Sequence, residues 1–192
     1  MSSAPGRHAE LDAALAALQS PRGGAPDQAA REGARDYLLA HADAAHPRLL
    51  ALLEEGMAAS PLAVVELLPA FGRPESVPAL ERLVRAGAER TSRVAAEALA
   101  RHPHAAALAA LLGAFSAGTA EAVTAAADGL LARGDPAACH ALAAVLDHPD
   151  ATTRYHVVQA AAGLGCLSAA KRAAIGTSDP DPDIRSLALG HA

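Results

Sequence analysis

Nine histidines and two cysteines are the side chains in this 192-residue sequence best suited to metal or nucleophilic chemistry. His102 and His104, in RHPHAA, lie two apart at an expected helix break. They could chelate together, or with His41 at the corresponding break of an earlier unit. A metal site also needs fixed geometry and a carboxylate or thiolate among its ligands. The other histidines share no register, so the spacing points to loop and surface histidines. Cys139 and Cys166 have neither metal-type spacing nor the pattern of a disulfide framework. They are expected to be buried small residues of a protein in a reducing compartment. Cys139 and His140 are adjacent on a helix, so their side chains diverge by about 100° and do not form a nucleophile–base pair. No Ser–His–Asp spacing, GxxxxGK[ST] or GxGxxG is present, and the GLG of residues 163–165 reads as a helix end. The expectation is therefore no catalytic, cofactor-binding or metal-ligating residue.

Composition explains what must position any site. Alanine occupies 54 positions, hydrophobic residues make up 52% and aromatics 2%, and Trp is absent. That much apolar content excludes global disorder. So few aromatic and β-branched residues argue against a sandwich or barrel and for helices. A formal charge of −5 makes a poor general binder of nucleic acid, whose affinity comes largely from phosphate neutralisation. MSSAPGRHAELDAALAALQS lacks the uninterrupted apolar region of a secretory signal. No stretch approaches the ~20 apolar residues that span a bilayer. A cytoplasmic protein without membrane partners is expected, and the Arg-, Ala- and Gly-rich composition suits a GC-rich bacterial genome.

A period of 31 residues organises the chain. Arg154, Val157, Ala161 and Gly165 correspond one period back to Val123, Ala126, Leu130 and Gly134. Further steps give Ser92, Ala95, Leu99 and Pro103, then Pro61, Val64, Leu68 and Gly72. A forward step gives Arg185 and Ala188. A second column contains Leu80, Leu111, Leu142 and Ala173, and a one-residue slip adds Arg31, Ala34, Leu38 and Leu50. Such self-similarity marks a repeat array. Each unit predicts two helices: one with an apolar stripe, ended by Gly or Pro, and one opened by proline. Asp150 or Asp183 is expected to cap the helix that follows each Asp-Pro turn. Arg154 and Arg185 are expected to pair with Asp150 and Asp181 one helical turn back.

In SDPDPDIRSLA, DHPDATTRYHVVQAAAGLG and RPESVPALERLV the sequence resembles the HEAT-repeat family, particularly its short bacterial form related to the repeats of phycobilisome lyases. The shared pattern is an Asp-Pro turn, a helix with Arg near its start, a short break and a Pro-initiated second helix. It covers roughly residues 27–192, and departs at Pro61, Ser92 and Val123, where the arginine is missing. The resemblance implies an all-α protein, a right-handed α-solenoid of antiparallel helix pairs with about five repeats. Residues 1–6 are expected to be disordered, 7–19 to form an N-terminal capping helix and 20–26 a linker. The array then fills 27–192. Residues 181–192 supply a first helix without its partner, so an apolar face with Leu187 and Ala188 is expected either to pack on another copy, giving self-association, or to be held by the preceding repeat alone.

The resemblance also implies a concave face lined by second helices. With Leu80 and its equivalents inward, that groove is expected to carry Arg48, Glu75, Pro78, Arg82, Arg85, Ala109, Gly113, His140, Ala144, Asp147, Lys171 and Arg172, with Ala45 and Ile175 at equivalent offsets. On the opposite face Asp36, Glu66, Glu97 and Asp128 form an acidic column open to a basic partner. HEAT-like di-iron hydroxylases carry repeated His-Glu pairs, and none occurs here. A HEAT-like DNA-repair glycosylase would require a basic, aromatic groove, which this composition lacks. The resulting expectation is a non-enzymatic adaptor or scaffold that holds a protein or peptide along the groove, without a cofactor. An accessory or catalytic component of a modification pathway, similar to the bilin lyases, is the alternative.

Overall fold

The computed structural model describes residues 4–20, 24–56, 58–86, 88–116 and 119–190. Among them every regular element is helical, so the protein is all-α. The elements are α1 (Ala4–Leu18), α2 (Gly24–Ala40), α3 (Ala42–Glu54), α4 (Pro61–Leu67), α5 (Ser76–Ala86) and α6 (Glu89–Arg101). They continue as α7 (Ala106–Ala114), α8 (Ala120–Arg133), α9 (Cys139–Ala143), α10 (Ala151–Gly163), α11 (Ala169–Ser178) and α12 (Pro182–Leu189). Helix α1 opens at Ala4, ahead of the expected start at residue 7, and α2 opens at Gly24, inside the stretch expected to be linker. Residues 1–3 and 21–23 of those two expected segments lie outside the described residues.

The chain forms two compact units, Met1–Ala79 and Leu80–Ala192, with the division inside α5. In the first unit α1 packs on α2, burying Leu11, Leu15 and Leu18 from α1 and Ala34 and Leu38 from α2. Helix α3 contributes Leu49, rather than the anticipated Leu50, which is only half-buried. Val64 and Leu68 are fully buried where the period places them. Buried His46 is hydrogen-bonded through Nε2 to Ser76 Oγ (2.7 Å) and tilts against the Phe71 ring. It is therefore a satisfied core histidine, where the sequence suggested a loop or surface position.

In the second unit α6 packs on α8, α8 on α10 and α10 on α12, while α7 packs on α6 and α8 and α9 on α10. The two apolar columns form its core: Leu80, Ala95, Leu99, Leu111, Ala126, Leu130, Leu142, Val157 and Ala188 are fully buried. Ala173 departs from the pattern and is exposed, its role passing to Ile175 and Leu167. Ile175 was thus misplaced in the groove, as was Ala45, which is fully buried in the first unit. In both cases an apolar side chain gains more by leaving water than the repeat offset alone conveys. Small residues set the helix spacing. A Cβ on Gly129 of α8 would come within 3.0 Å of the Ala96 carbonyl and of Leu111 Cδ2. Gly134 ends α8 in a left-handed conformation (φ 72°), and its N–H bonds Leu130 O and Leu131 O, the cap geometry that glycine adopts without a Cβ clash.

The cysteines correct the sequence expectation outright: Cys139 and Cys166 form a disulfide and neither is buried. Their spacing resembles no framework because the bridge joins α9 to the turn after α10, a proximity that only packing creates. At the C-terminal end, Ala188 is fully buried and Leu187 half-buried, so the anticipated apolar face reduces to Leu189 at 47% exposure. A Cβ on Gly176 of α11 would meet the Leu189 side chain at 2.5 Å.

Candidate functional site

The candidate surface in the second unit follows from which side of each second helix is left outside the core. Helix α5 buries Leu80 and Val84, which turns Arg82 and Arg85 outward. Helix α7 buries Ala107, Ala110, Leu111 and Ala114, leaving Ala109 exposed and Gly113 half-buried. The short α9 and its flanking turns bury Ala138, Leu142 and Leu146, leaving His140, Ala144 and Asp147 exposed. In α11, Lys171 and Arg172 are half-buried, with Ile175 as the buried anchor. Apart from Ile175, the groove residues anticipated in this unit thus lie outside the core. In the first unit Arg48, Glu75 and Pro78 are also exposed.

Some of these charges have local partners. Arg85 pairs with Glu81 (2.7 Å) and also donates to the Gly113 carbonyl at 3.2 Å. A Cβ at Gly113 would sit 2.9 Å from Arg85 Nη2, so a larger residue there would displace the guanidinium from this position. Arg172 Nε lies 3.4 Å from its acceptor, the Leu167 carbonyl. In the first unit Arg48 pairs with Asp12 at 2.5 Å. The surface therefore offers cations at α5 and α11 and small side chains on α7.

The anticipated acidic column divides between the units. Asp36 is exposed and Glu66 half-buried in the first. In the second, Glu97 faces Arg101 at 3.9 Å, and His156 donates from Nδ1 to Asp128 Oδ1 at 2.7 Å. Asp128 and His156 line a cavity of about 420 Å³ with Arg93, Glu121, Thr124 and Thr153. Thr124 Oγ1 donates to Thr153 Oγ1 (3.1 Å), whose hydroxyl and backbone N–H both reach Asp150 Oδ1 at 2.8 Å. Those Thr153 bonds, backbone first, hold the Asp150 carboxyl below the usual carboxylate range. Asp150 is the expected cap of α10. Helix α12, in contrast, is capped by Asp181 and not by Asp183, which lies within its first turn.

The paired arginines also act differently from the i,i+4 expectation. Arg154 binds the Asp179 carboxylate with both Nε (3.1 Å) and Nη2 (3.2 Å), and its Nη1 donates to the carbonyls of His148 and Pro149. One period later Arg185 Nη1 donates to the carbonyls of Asp179 and Pro180. A planar guanidinium matches two carboxylate oxygens and two converging carbonyls better than one exposed aspartate, so the inter-helix turns win. Burial raises the Asp179 carboxyl pKa, but hydrogen bonds from Arg154 and the Asp181 amide, with the charges of Arg154 and Arg185, hold it below the usual range. The bond to Asp179 in turn raises Arg154.

The histidines at helix breaks serve the backbone. His102 Nδ1 accepts from the His104 amide, His104 Nδ1 from the Ala106 amide and His148 Nδ1 from the Asp150 amide, each at 3.2 Å. His102 is itself buried, against the surface placement anticipated from sequence. The signal for this role was present as histidine two residues before a turn amide, the position that Asn and Asp occupy in side-chain-closed turns. In the first unit His41 donates from Nδ1 to the Tyr37 carbonyl (2.8 Å) and stacks on the Tyr37 ring. No group of three or more His, Cys, Asp or Glu among the described residues is arranged to hold a metal ion.

Neither a protein-family model nor a curated protein matches this chain. No helix among the described residues is long and apolar enough to cross a membrane.

Proposed function

We propose that the second unit is a right-handed α-solenoid segment of HEAT-like repeats, one stretch of an array of about five, and that it acts as a non-enzymatic adaptor. Its ligand is a protein segment lying across the exposed faces of α5, α7, α9 and α11. One observation carries this reading. Arg82, Gly113 and Ala144, then Arg85 and Asp147, then Ala109, His140 and Lys171 fall in three columns of 31-residue period, and all lie outside a core built by their neighbours on the same helices, Ile175 alone having turned inward. Repeat proteins commonly bind through such a shared face. Ala109 and Gly113 let a partner backbone approach closely, while Arg82, Lys171 and Arg172 complement acidic side chains at its ends.

The test fills the small-residue centre without touching the core. Ala109→Trp and Ala144→Trp, both at exposed positions, should abolish capture of the partner from host extract. Glu97→Arg, on α6, should leave it intact. Circular dichroism controls for the fold. Capture by the tryptophan variants at wild-type strength would remove the adaptor surface from this face.

A further inference from the structure

The disulfide lies within the proposed surface. Cys139 precedes His140 on α9, and Cys166 lies in the turn that leads to Lys171 and Arg172 on α11. The bridge is thus the covalent tie between two consecutive pieces of that surface. We propose that Cys139–Cys166 is a redox-controlled fastener of α9: oxidised, it holds α9 against the turn after α10, and reduction by a dithiol releases α9 while the rest of the unit stays folded. The consequence for partner binding rests on the adaptor reading; the fastening itself does not.

Three observations support this. First, α9 is the least secured second helix of the unit, with five helical residues between the 3-10 turn Pro136–Ala138 and further turns at 144–147. Few regular backbone hydrogen bonds and short length place such an element at the low end of local stability. Second, the two ends of the bridge are held unequally. The Cys166 amide donates to the Ala161 carbonyl at 2.8 Å, so its backbone stays on α10 whatever the sulfur state. The Cys139 amide instead bonds the Pro136 carbonyl of the preceding 3-10 turn, a local contact, and the stretch is seated by Ala138, Leu142 and Leu146. Third, both cysteines are partly exposed, and access of the attacking thiolate is one condition of disulfide exchange. A single bridge in a unit that already buries a long leucine–alanine core is not needed to make that core, unlike the bridges of small disulfide scaffolds.

The chemistry balances with a dithiol as reductant. One thiolate attacks a bridge sulfur, the Cys139–Cys166 bond breaks and a mixed disulfide forms. The second thiol of the reductant then displaces the other cysteine. Two electrons and two protons pass to the protein, which ends with two thiols, and the reductant ends as its own disulfide. Released α9 and the turns that follow it carry His140, Ala144 and Asp147 away from their fixed spacing to Lys171 and Arg172.

Hydrogen exchange with mass spectrometry tests the proposal on the full chain in oxidised form, after dithiothreitol, and as Cys139→Ser/Cys166→Ser. Amides of residues 139–146 should exchange on the order of tenfold faster in the reduced protein and in the double variant, while those of α8 and α10 keep their protection. Reoxidation should restore the slow rate in the wild type alone. Equal exchange of 139–146 in all three forms would overturn the proposal. So would loss of protection spreading through α8 and α10, which would make the bridge a general staple, or two labelled thiols in protein exposed to oxidant. Because no partner enters this measurement, failure of the adaptor reading leaves its outcome unchanged.

Discussion

At the residue scale the Arg154–Asp179 pair separates structural charge from surface charge. Its side chains are 12% and 8% exposed, and the guanidinium's remaining donor binds two backbone carbonyls. Removing one partner leaves the other's part-buried hydrogen-bonding groups unmatched, so Arg154→Ala should cost about 1–3 kcal/mol in urea unfolding. Arg101→Ala breaks only an exposed pair with Glu97 at 3.9 Å and should cost no more than about 0.5 kcal/mol. Equal effects would mean that the buried pair contributes nothing special. The same pair sets an acid response. Asp179 is held below its ordinary value, so its contribution is complete above the unfolded carboxyl pKa of about 3.9 and is lost as pH falls through the folded value. Between pH 6 and pH 3 the urea midpoint of the wild type should fall further than that of Asp179→Asn, which has no carboxyl there to protonate.

At the element scale, helix packing rests on leucine knobs and on glycine or alanine where axes approach. Leu111 and Leu142 are fully buried on α7 and α9, and Leu→Ala at either should cost about 2–5 kcal/mol through lost transfer energy and the cavity left behind. Gly129→Ala presents the opposite fault. Its new methyl would meet the Ala96 carbonyl at 3.0 Å, a backbone atom that moves only with α6. Although alanine is the better helix former, this overpacking should destabilise by about 1–3 kcal/mol. A more stable Gly129→Ala protein, judged by thermal and urea unfolding, would show that α6 and α8 have slack. These helices were legible in the sequence because a 3.6-residue stripe repeated every 31 residues leaves few alternatives. Leu50, Ala173, Ala45 and Ile175 were misread because a strict offset ignores one-residue slips, and a packed helix rotates to bury its larger apolar side chain.

At the scale of the whole molecule, the chain forms two compact units, and the disulfide lies wholly in the second. It closes a segment of sequence separation 27. In Cys139→Ser/Cys166→Ser the faster exchange should stay within residues 139–146 of the second unit. Exchange at Leu38 and Leu49, in the core of the first, should remain unchanged. Equal loss of protection at those positions would show the units to unfold as one.

By itself the sequence determined the helical class, a 31-residue period and most of the buried columns. Periodic apolar residues encode those features locally, since each helix must bury its own stripe. It also singled out Arg154 and Arg185, but assigned them the nearest aspartate in the chain. Only the tertiary structure decided that Arg154 binds Asp179 one repeat later, that His46 and His102 are buried and that Cys139 meets Cys166. Each of those contacts joins residues separated in sequence that come together only when helices stack, and linear spacing carries no record of which side chains then meet.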